Sequence, residues 1–222
     1  MSMKKSLSII DTSFIFFGVD NIAIFFNVGK DNSVVFSLIY YYIKKNLKKR
    51  MPLFVYFKTK YHIPQVEEYI DFMVSRYDLK FICYKCNNLK NGLKLFKSHY
   101  PHINCIFMGN RKTDPYSDKL KYFSSTTEGW PYYIRVNPIL DWSYKQVWKY
   151  IIVLELRVCE LYNHGYTSLG SLLDTSKNPY LSYINKYGDR VYAPAWCLKD
   201  ETKERAGRKK IQLKIFDFEK KI

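Results

Sequence analysis

Short apolar runs alternate along the chain with segments whose apolar residues recur every three or four positions. The apolar runs are typical of buried strands and cover residues 22–26, 53–57, 80–84, 103–108 and 132–136. The segments with helical spacing cover residues 34–42, 64–76 and 89–99. This alternation predicts an α/β fold, in which a mostly parallel twisted sheet carries helices on both faces.

The pattern changes after Trp142. Ser143, with Gln146 three residues later, forms a capping box that predicts the start of a helix. Apolar residues at helical spacing extend this helix to about Arg157. Residues 160–194 are rich in Gly, Tyr, Asn and Ser, and this composition predicts loops with short elements.

The end of the chain is more regular again. Residues 201–210 predict a charged helix, and the alternation of apolar and polar residues over 211–218 predicts a small strand. We therefore expect a single domain with three parts: an N-terminal helical segment (1–20), an α/β core (21–158) and a loop-rich, helical C-terminal extension (159–222).

Composition narrows the class of protein. The 222 residues suit one α/β domain. We expect no membrane span, because the chain lacks a stretch of about 18 uncharged apolar residues. The N-terminal run lacks a small-residue cleavage site and predicts an amphipathic helix rather than a signal peptide.

An odd number of cysteines, five, predicts a reducing, cytoplasmic setting. Cys83 and Cys86 have no second pair at ligand spacing, so a metal or redox site is not favoured.

The net charge of +16 would attract polyanions, including nucleic acid and nucleotides. The lysines are scattered over the whole chain, however, and accompany a general enrichment in Lys, Asn, Ile and Tyr. We therefore expect small anionic substrates rather than a nucleic-acid or membrane partner, and a monomer.

The loop after the first strand carries candidate phosphate-binding chemistry. It joins an apolar strand to a helix, whose N-terminus offers free N–H groups and a partial positive charge. Gly29 allows close approach of the backbone, Lys30 adds a cation, and Asp31 can hold Mg²⁺. It is not a Walker loop, because Lys30 is followed by Asp31 instead of Ser or Thr. A plain strand-to-helix turn is the alternative interpretation.

Two later motifs extend this hypothesis. After the strand at 103–108, Gly109 permits close backbone approach and Arg111 can bind phosphate bidentately. Asp114 precedes a proline and is therefore held in an extended conformation. An Asx-Pro turn would explain Asp114 but not the neighbouring Gly and Arg. Near the end, Arg205 and Arg208 are spaced to lie on one helix face, with a solvated charged tail as the alternative.

Four sequence stretches occur in an informative order. They are Gly-Asn-Arg-Lys-Thr-Asp-Pro (109–115), Asn-Pro-Ile-Leu-Asp-Trp (137–142), Gly-Tyr-Thr-Ser-Leu-Gly (165–170) and Glu-Arg-Ala-Gly-Arg (204–208). With them, residues 22–208 resemble the eukaryotic-type FAD synthases, which are FMN adenylyltransferases related to PAPS reductases. The first loop also resembles the pyrophosphate loop of the N-type ATP pyrophosphatase superfamily. The resemblance implies transfer of AMP from ATP to FMN with Mg²⁺, giving FAD and pyrophosphate.

The resemblance also implies roles for matching residues, with the core binding nucleotide and the extension completing the active site. The catalytic set would be Asn27, Asp31, Asp114, Arg205 and Arg208, with Asp31 also binding the metal. The ATP-binding set would be Phe26, Gly29, Lys30, Ser33, Met108 and Gly109. The flavin-binding set would be Arg111, Thr127, Trp130 and Arg135.

Two positions depart from the family pattern. Val28 replaces the first of two glycines, and a β-branched residue is costly there if the position needs a positive φ. Thr127 replaces an aspartate thought to contact the flavin. These departures leave two alternatives open. One is a related enzyme acting on another acceptor, as PAPS reductases do, and the other is a degenerate flavin- or nucleotide-binding protein without turnover.

Overall fold

The computed structural model describes residues 2–47 and 51–209. Within these residues the α-helices are α1 (Ser2–Phe17), α2 (Lys30–Tyr42), α3 (Pro64–Tyr77), α4 (Leu89–His99) and α5 (Tyr144–Val153). The strands are β1 (Ile22–Phe25), β2 (Leu53–Lys58), β3 (Phe81–Lys85), β4 (Cys105–Phe107), β5 (Phe123–Ser125), β6 (Ile134–Val136), β7 (Ser182–Ile184) and β8 (Arg190–Tyr192). All five predicted strands are present, whereas β5, β7 and β8 were not predicted.

The main sheet has the strand order β3-β2-β1-β4-β6-β5. All pairs are parallel except β5 with β6, and β7 and β8 form a separate hairpin. From β1 the chain moves to β2 and β3 on one side, then returns to β4 on the other. The loops after β1 and β4 therefore diverge at one crevice, which is where open α/β sheets bind ligands. The predicted fold class is confirmed.

The two faces of the sheet bury different cores. Alternate residues of a strand point to opposite faces. Ile22 and Ile24 face the larger core, which includes α1, α2, α3 and α5, whereas Ala23 and Phe25 face the smaller core under α4. Helices cover both faces, but one face carries α4 alone among the described helices.

The second half of the chain differs from prediction in its details. The capping box of Ser143 and Gln146 starts α5 as expected. The helix ends early, at Val153, because the chain turns through a left-handed conformation at Glu155 (φ 49°). No described helix is long and apolar enough to cross a membrane.

The predicted helix over residues 201–210 is wrong. Glu201–Lys203 forms one 3₁₀ turn, turns continue through Gly207, and Arg208 then pairs with Thr175 in an isolated antiparallel bridge. Tertiary packing overrides helix propensity here, because a Cβ on Gly207 would lie 2.3 Å from the carbonyl oxygen of Ser176. The predicted strand over 211–218 lies outside the described residues.

Candidate active site

The loop after β1 contains a backbone conformation that is unusual for its residue. Val28 has φ 64° and is fully buried in the larger core. Gly29 has an ordinary φ of −65° and is the N-cap residue of α2. Position 28 therefore has the positive φ that is costly for a β-branched residue, and a valine occupies it. Its burial compensates for the strained backbone.

The N-terminus of α2 is fixed by the C-terminal part of the chain. The Lys30 backbone N–H donates to the hydroxyl of Tyr162 over 2.9 Å. Tyr162 is buried, and burial raises the pKa of its hydroxyl well above the usual value, so this group is neutral at physiological pH. In the same loop, Asn27 accepts the Gly29 N–H over 3.2 Å, and its side chain remains exposed.

The loop after β4 presses directly against the start of α2. A Cβ at Gly109 would lie 2.3 Å from Asn32 Oδ1 and 2.8 Å from the Asn32 nitrogen. The Asn32 amide in turn donates to the carbonyl of Phe25, at the end of β1. Gly109 therefore allows two parts of the protein to meet, which gives this glycine a packing role in addition to its predicted proximity to ATP.

A buried cluster of charges joins three distant segments of the chain. Arg111 is fully buried, with Nε 2.8 Å from Asp31 Oδ1 and Nη2 2.6 Å from each carboxylate oxygen of Glu204. Lys30 Nζ lies 3.0 Å from Asp31 Oδ2 and also contacts Glu204. Burial lowers the pKa of both cations, but Asp31 and Glu204 outweigh burial and raise both pKa values, so the cations stay charged.

Two carboxylates of this cluster remain partly open to solvent. The side chains of Asp31 and Asp114 are 16% and 21% exposed. Asp114 accepts the backbone N–H of Arg111 over 2.8 Å, whereas burial raises the pKa of its carboxyl. Mg²⁺ in nucleotide sites commonly takes one or two carboxylates and completes its shell with phosphates and water. These two residues fit that donor set.

Four residues that were predicted to contact substrate are buried in this structure. Lys30 and Arg111 were expected to bind phosphate or flavin, but both are buried and bound to carboxylates of the protein. Phe26 was expected beside adenine, but its ring packs in the core 4.6 Å from the ring of Phe54. Ser33 is also buried, with its hydroxyl engaged by the hydroxyl of Tyr69.

The two arginines near the chain end converge without a helix. Arg205 Nη1 lies 3.5 Å from Ser168 Oγ, and Arg208 Nη1 lies 3.4 Å from the same atom. Arg208 also donates to the carbonyl of Leu169 over 2.9 Å and pairs with Asp174. The two guanidinium groups thus converge on Ser168, and turns rather than the predicted helix bring them together.

The remaining flavin candidates lie on the other side of the sheet, by α4. Lys90 Nζ of α4 sits 5.9 Å from the ring centre of Trp130, which is 39% exposed. Arg135 donates to the carbonyl of Ser125 over 2.8 Å, and its buried Nε has no hydrogen-bond partner among the described residues. Thr127 is exposed on the same loop as Trp130. Met108 directly follows β4 and packs, partly buried, against the smaller core under α4.

An open pocket of about 570 Å³ adjoins the carboxyl ends of β2 and β3. It is bounded by the start of α4 and lined by three lysines, Lys58, Lys60 and Lys85. A cavity of this size suits part of a nucleotide or a similar small molecule. Its basic lining favours anions.

Comparison with known proteins identifies the family. The model of the phosphoadenosine phosphosulfate reductase domain family matches residues 21–177. The chain is 36% identical over 212 residues to the probable FAD synthase of Schizosaccharomyces pombe, covering 93% of this chain and 78% of that protein. The chain belongs to the FAD synthase family. The family resemblance predicted from the ordered motifs is confirmed.

Solved structures of the FAD synthase family agree with the fold. The chain matches Candida glabrata FMN adenylyltransferase with a TM-score of 0.85 and 25% identity, covering 94% of this chain and 87% of that one. The same enzyme in complex with FAD and inorganic pyrophosphate gives a TM-score of 0.84 and 25% identity, with the same coverage.

Sequence reasoning missed two residues that hold the site together. Glu204 was noticed only as part of the Glu-Arg-Ala-Gly-Arg stretch, and Tyr162 only as a neighbour of the Gly-Tyr-Thr-Ser-Leu-Gly stretch. Neither has a local pattern that reveals its partner. The sequence carries no signal for either contact, because the burial of Lys30 and Arg111, which calls for a nearby carboxylate, is seen only in the structure.

Proposed function

We propose that this chain is an FMN adenylyltransferase, which joins ATP and FMN to give FAD and pyrophosphate. The observation that carries the proposal is its similarity to the Schizosaccharomyces pombe probable FAD synthase over 93% of the chain. The match to an FMN adenylyltransferase bound to FAD and pyrophosphate supports the same reaction.

An oxygen of the FMN phosphate attacks the α-phosphorus of ATP. A phosphorus–oxygen bond forms to FMN, and the bond between the α-phosphorus and the bridging oxygen breaks, so that pyrophosphate leaves with the bonding pair. The attacking phosphate is already ionised, so no strong general base is required. Catalysis then depends on aligning the reactants and stabilising charge.

The residues of the crevice supply these needs in our proposal. Asn27 and the N-terminus of α2 face the phosphates, while Asp31 and Asp114 would hold Mg²⁺. When bound, the metal neutralises charge on the phosphates and the leaving group. Arg205 and Arg208 add positive charge from the C-terminal turns. Lys30 and Arg111 keep Asp31 in place instead of contacting substrate.

The flavin end of the substrate is assigned to the side of the sheet that carries α4. Trp130 offers an exposed ring for stacking, and the buried Nε of Arg135, which has no partner among the described residues, offers a hydrogen-bond donor. Thr127 contributes a hydroxyl where the family pattern has a carboxylate. Met108 directly follows β4 and is only partly buried, so that adenine or flavin can contact it.

The proposal is tested by incubating purified protein with ATP, FMN and Mg²⁺ and separating the flavins by chromatography. We expect FAD and pyrophosphate in equal amounts, and a loss of at least about 100-fold in Asp31→Asn. Tight FMN binding with no FAD formed would support the alternative of a binding protein without turnover. No FAD from correctly folded protein overturns the proposal.

Two further properties are also proposals. All five cysteines are free thiols, which supports a reducing compartment such as the cytoplasm. A monomer is expected, and light scattering coupled to size exclusion tests it.

A further inference from the structure

Glu204 is the only carboxylate of the described C-terminal turns that reaches the two buried cations of the active site. Its side chain is 12% exposed, and its oxygens contact Lys30 at the start of α2 and Arg111 in the loop after β4. Glu204 thus connects the two loops of the crevice to the segment that carries the arginines.

The backbone at Glu204 is fixed as firmly as its side chain. The Thr167 hydroxyl donates to the Glu204 carbonyl over 2.6 Å. The buried amide of Asn178 donates to the Thr167 hydroxyl and to the Lys203 carbonyl, each over 2.8 Å. The peptide that leads into Arg205 therefore has its position set by buried contacts on both sides of Glu204.

The two arginines differ in how they are held. Arg208 has its own anchors, because it pairs with Asp174 and donates to Leu169. Arg205 is exposed, and among the described residues its guanidinium makes one hydrogen bond, the 3.5 Å contact with Ser168, which is at the limit for such a bond. The location of the Arg205 guanidinium therefore depends mainly on the backbone of the turn, which the Glu204 side chain holds together with Thr167 and Asn178.

We propose that Glu204 is a positioning residue for adenylyl transfer, which places Arg205 over the reacting phosphates by holding the turn against Lys30 and Arg111. The inference rests on the proposed function. Arg208 is independent of Glu204, since Asp174 anchors it.

The test is a double-mutant cycle on FAD formation. Glu204→Gln keeps the shape of the side chain but weakens its hold on both cations. We expect kcat to fall about tenfold, as for a displaced catalytic group, with KM for ATP changed less than about twofold. Arg205→Ala should lower kcat by a similar factor, and the double variant should be no slower than Arg205→Ala. When Glu204→Gln is combined with Arg208→Ala, the fold losses in kcat of the two single variants should multiply.

Glu201→Gln is the matched control, because it makes the same change one turn earlier at a partly exposed residue 3.8 Å from Lys145. It should leave kcat unchanged within about twofold. If Glu204→Gln does not fold, Glu204→Asp retains the charge and retracts it by one methylene, and the same cycle with Arg205→Ala applies.

The outcomes separate the inference from the function on which it rests. Wild-type activity with multiplicative effects of Glu204 and Arg205 would overturn the inference alone and leave the proposed function intact. An equal loss in Glu201→Gln would also overturn it. The absence of FAD from the wild-type protein overturns both.

Discussion

Val28 combines a strained backbone with a fully buried side chain. The left-handed conformation costs an L-residue about 1–2 kcal/mol, whereas burial of a valine contributes about 1.5–3 kcal/mol. Glycine would relieve the strain, lose the burial and add about 0.5–1 kcal/mol of backbone entropy cost. We therefore expect Val28→Gly to lower the free energy of unfolding by about 1–2 kcal/mol, with FAD formation retained. Urea denaturation measures the change.

The comparison with alanine isolates the strain. At position 28 the Gly and Ala variants should be similarly stable, because only glycine removes the unfavourable φ. Val34 is equally buried but lies within α2. There Val34→Gly should be about 1 kcal/mol less stable than Val34→Ala. The same gap at position 28 would show that the backbone of Val28 carries no strain.

Single residues also show the limit of what the sequence predicts. The structure brings Asp31 and Asp114 close to one guanidinium, that of Arg111, because both follow strands whose loops meet at one edge of a parallel sheet. The burial of Lys30 was missed because its partner, Glu204, lies 174 residues away. A cation in a loop predicts phosphate binding until a counter-ion is known, and periodicity carries no information about such a distant contact.

At the scale of elements, the start of α2 depends on the hydroxyl of Tyr162, a residue 132 positions further along the chain. Tyr162→Phe would leave the buried Lys30 N–H without an acceptor while keeping the ring that packs on Trp148. We expect a loss of about 1–3 kcal/mol in the free energy of unfolding. Since the start of α2 lies in the phosphate crevice, KM for ATP should also rise roughly threefold or more. Thermal melts and steady-state kinetics measure the two effects.

Tyr150→Phe is the control, because its hydroxyl contacts Ser37 further along the same helix, over 3.2 Å. It should cost less than about 1 kcal/mol and leave KM for ATP unchanged. Equal KM effects in the two variants would contradict a specific role of Tyr162 at the helix start.

Elements with a strong local pattern were predicted, and the others were not. The bounds of α4 agree with the predicted 89–99, and a buried stripe of Leu93 and Phe96 explains why. The edge strand β5 was missed because three residues, Phe123–Ser125, have no alternation to detect. The helix predicted over 201–210 failed because ion pairs and backbone contacts from distant segments dictate its path.

At the scale of the whole molecule, the charge of +16 acts over distances longer than any contact. Part of it gathers near the site, where Lys60 and Lys85 line the pocket at the ends of β2 and β3. Lys44 and Lys45 lie instead at the far end of α2, toward the opposite edge of the sheet. Replacing one pair or the other therefore distinguishes the effect of charge near the site from the effect of total charge.

Lys60→Gln with Lys85→Gln removes two charges beside the crevice, and we expect KM for ATP and FMN to rise roughly threefold at low salt, with kcat unchanged. Lys44→Gln with Lys45→Gln removes the same total charge and should change KM far less. Raising the salt to about 0.3 M shortens the screening length below about 10 Å, so wild-type KM should rise toward that of the first variant. Steady-state kinetics at several salt concentrations test this, and equal KM values for the two double variants would show that total charge, rather than its placement, attracts the substrates.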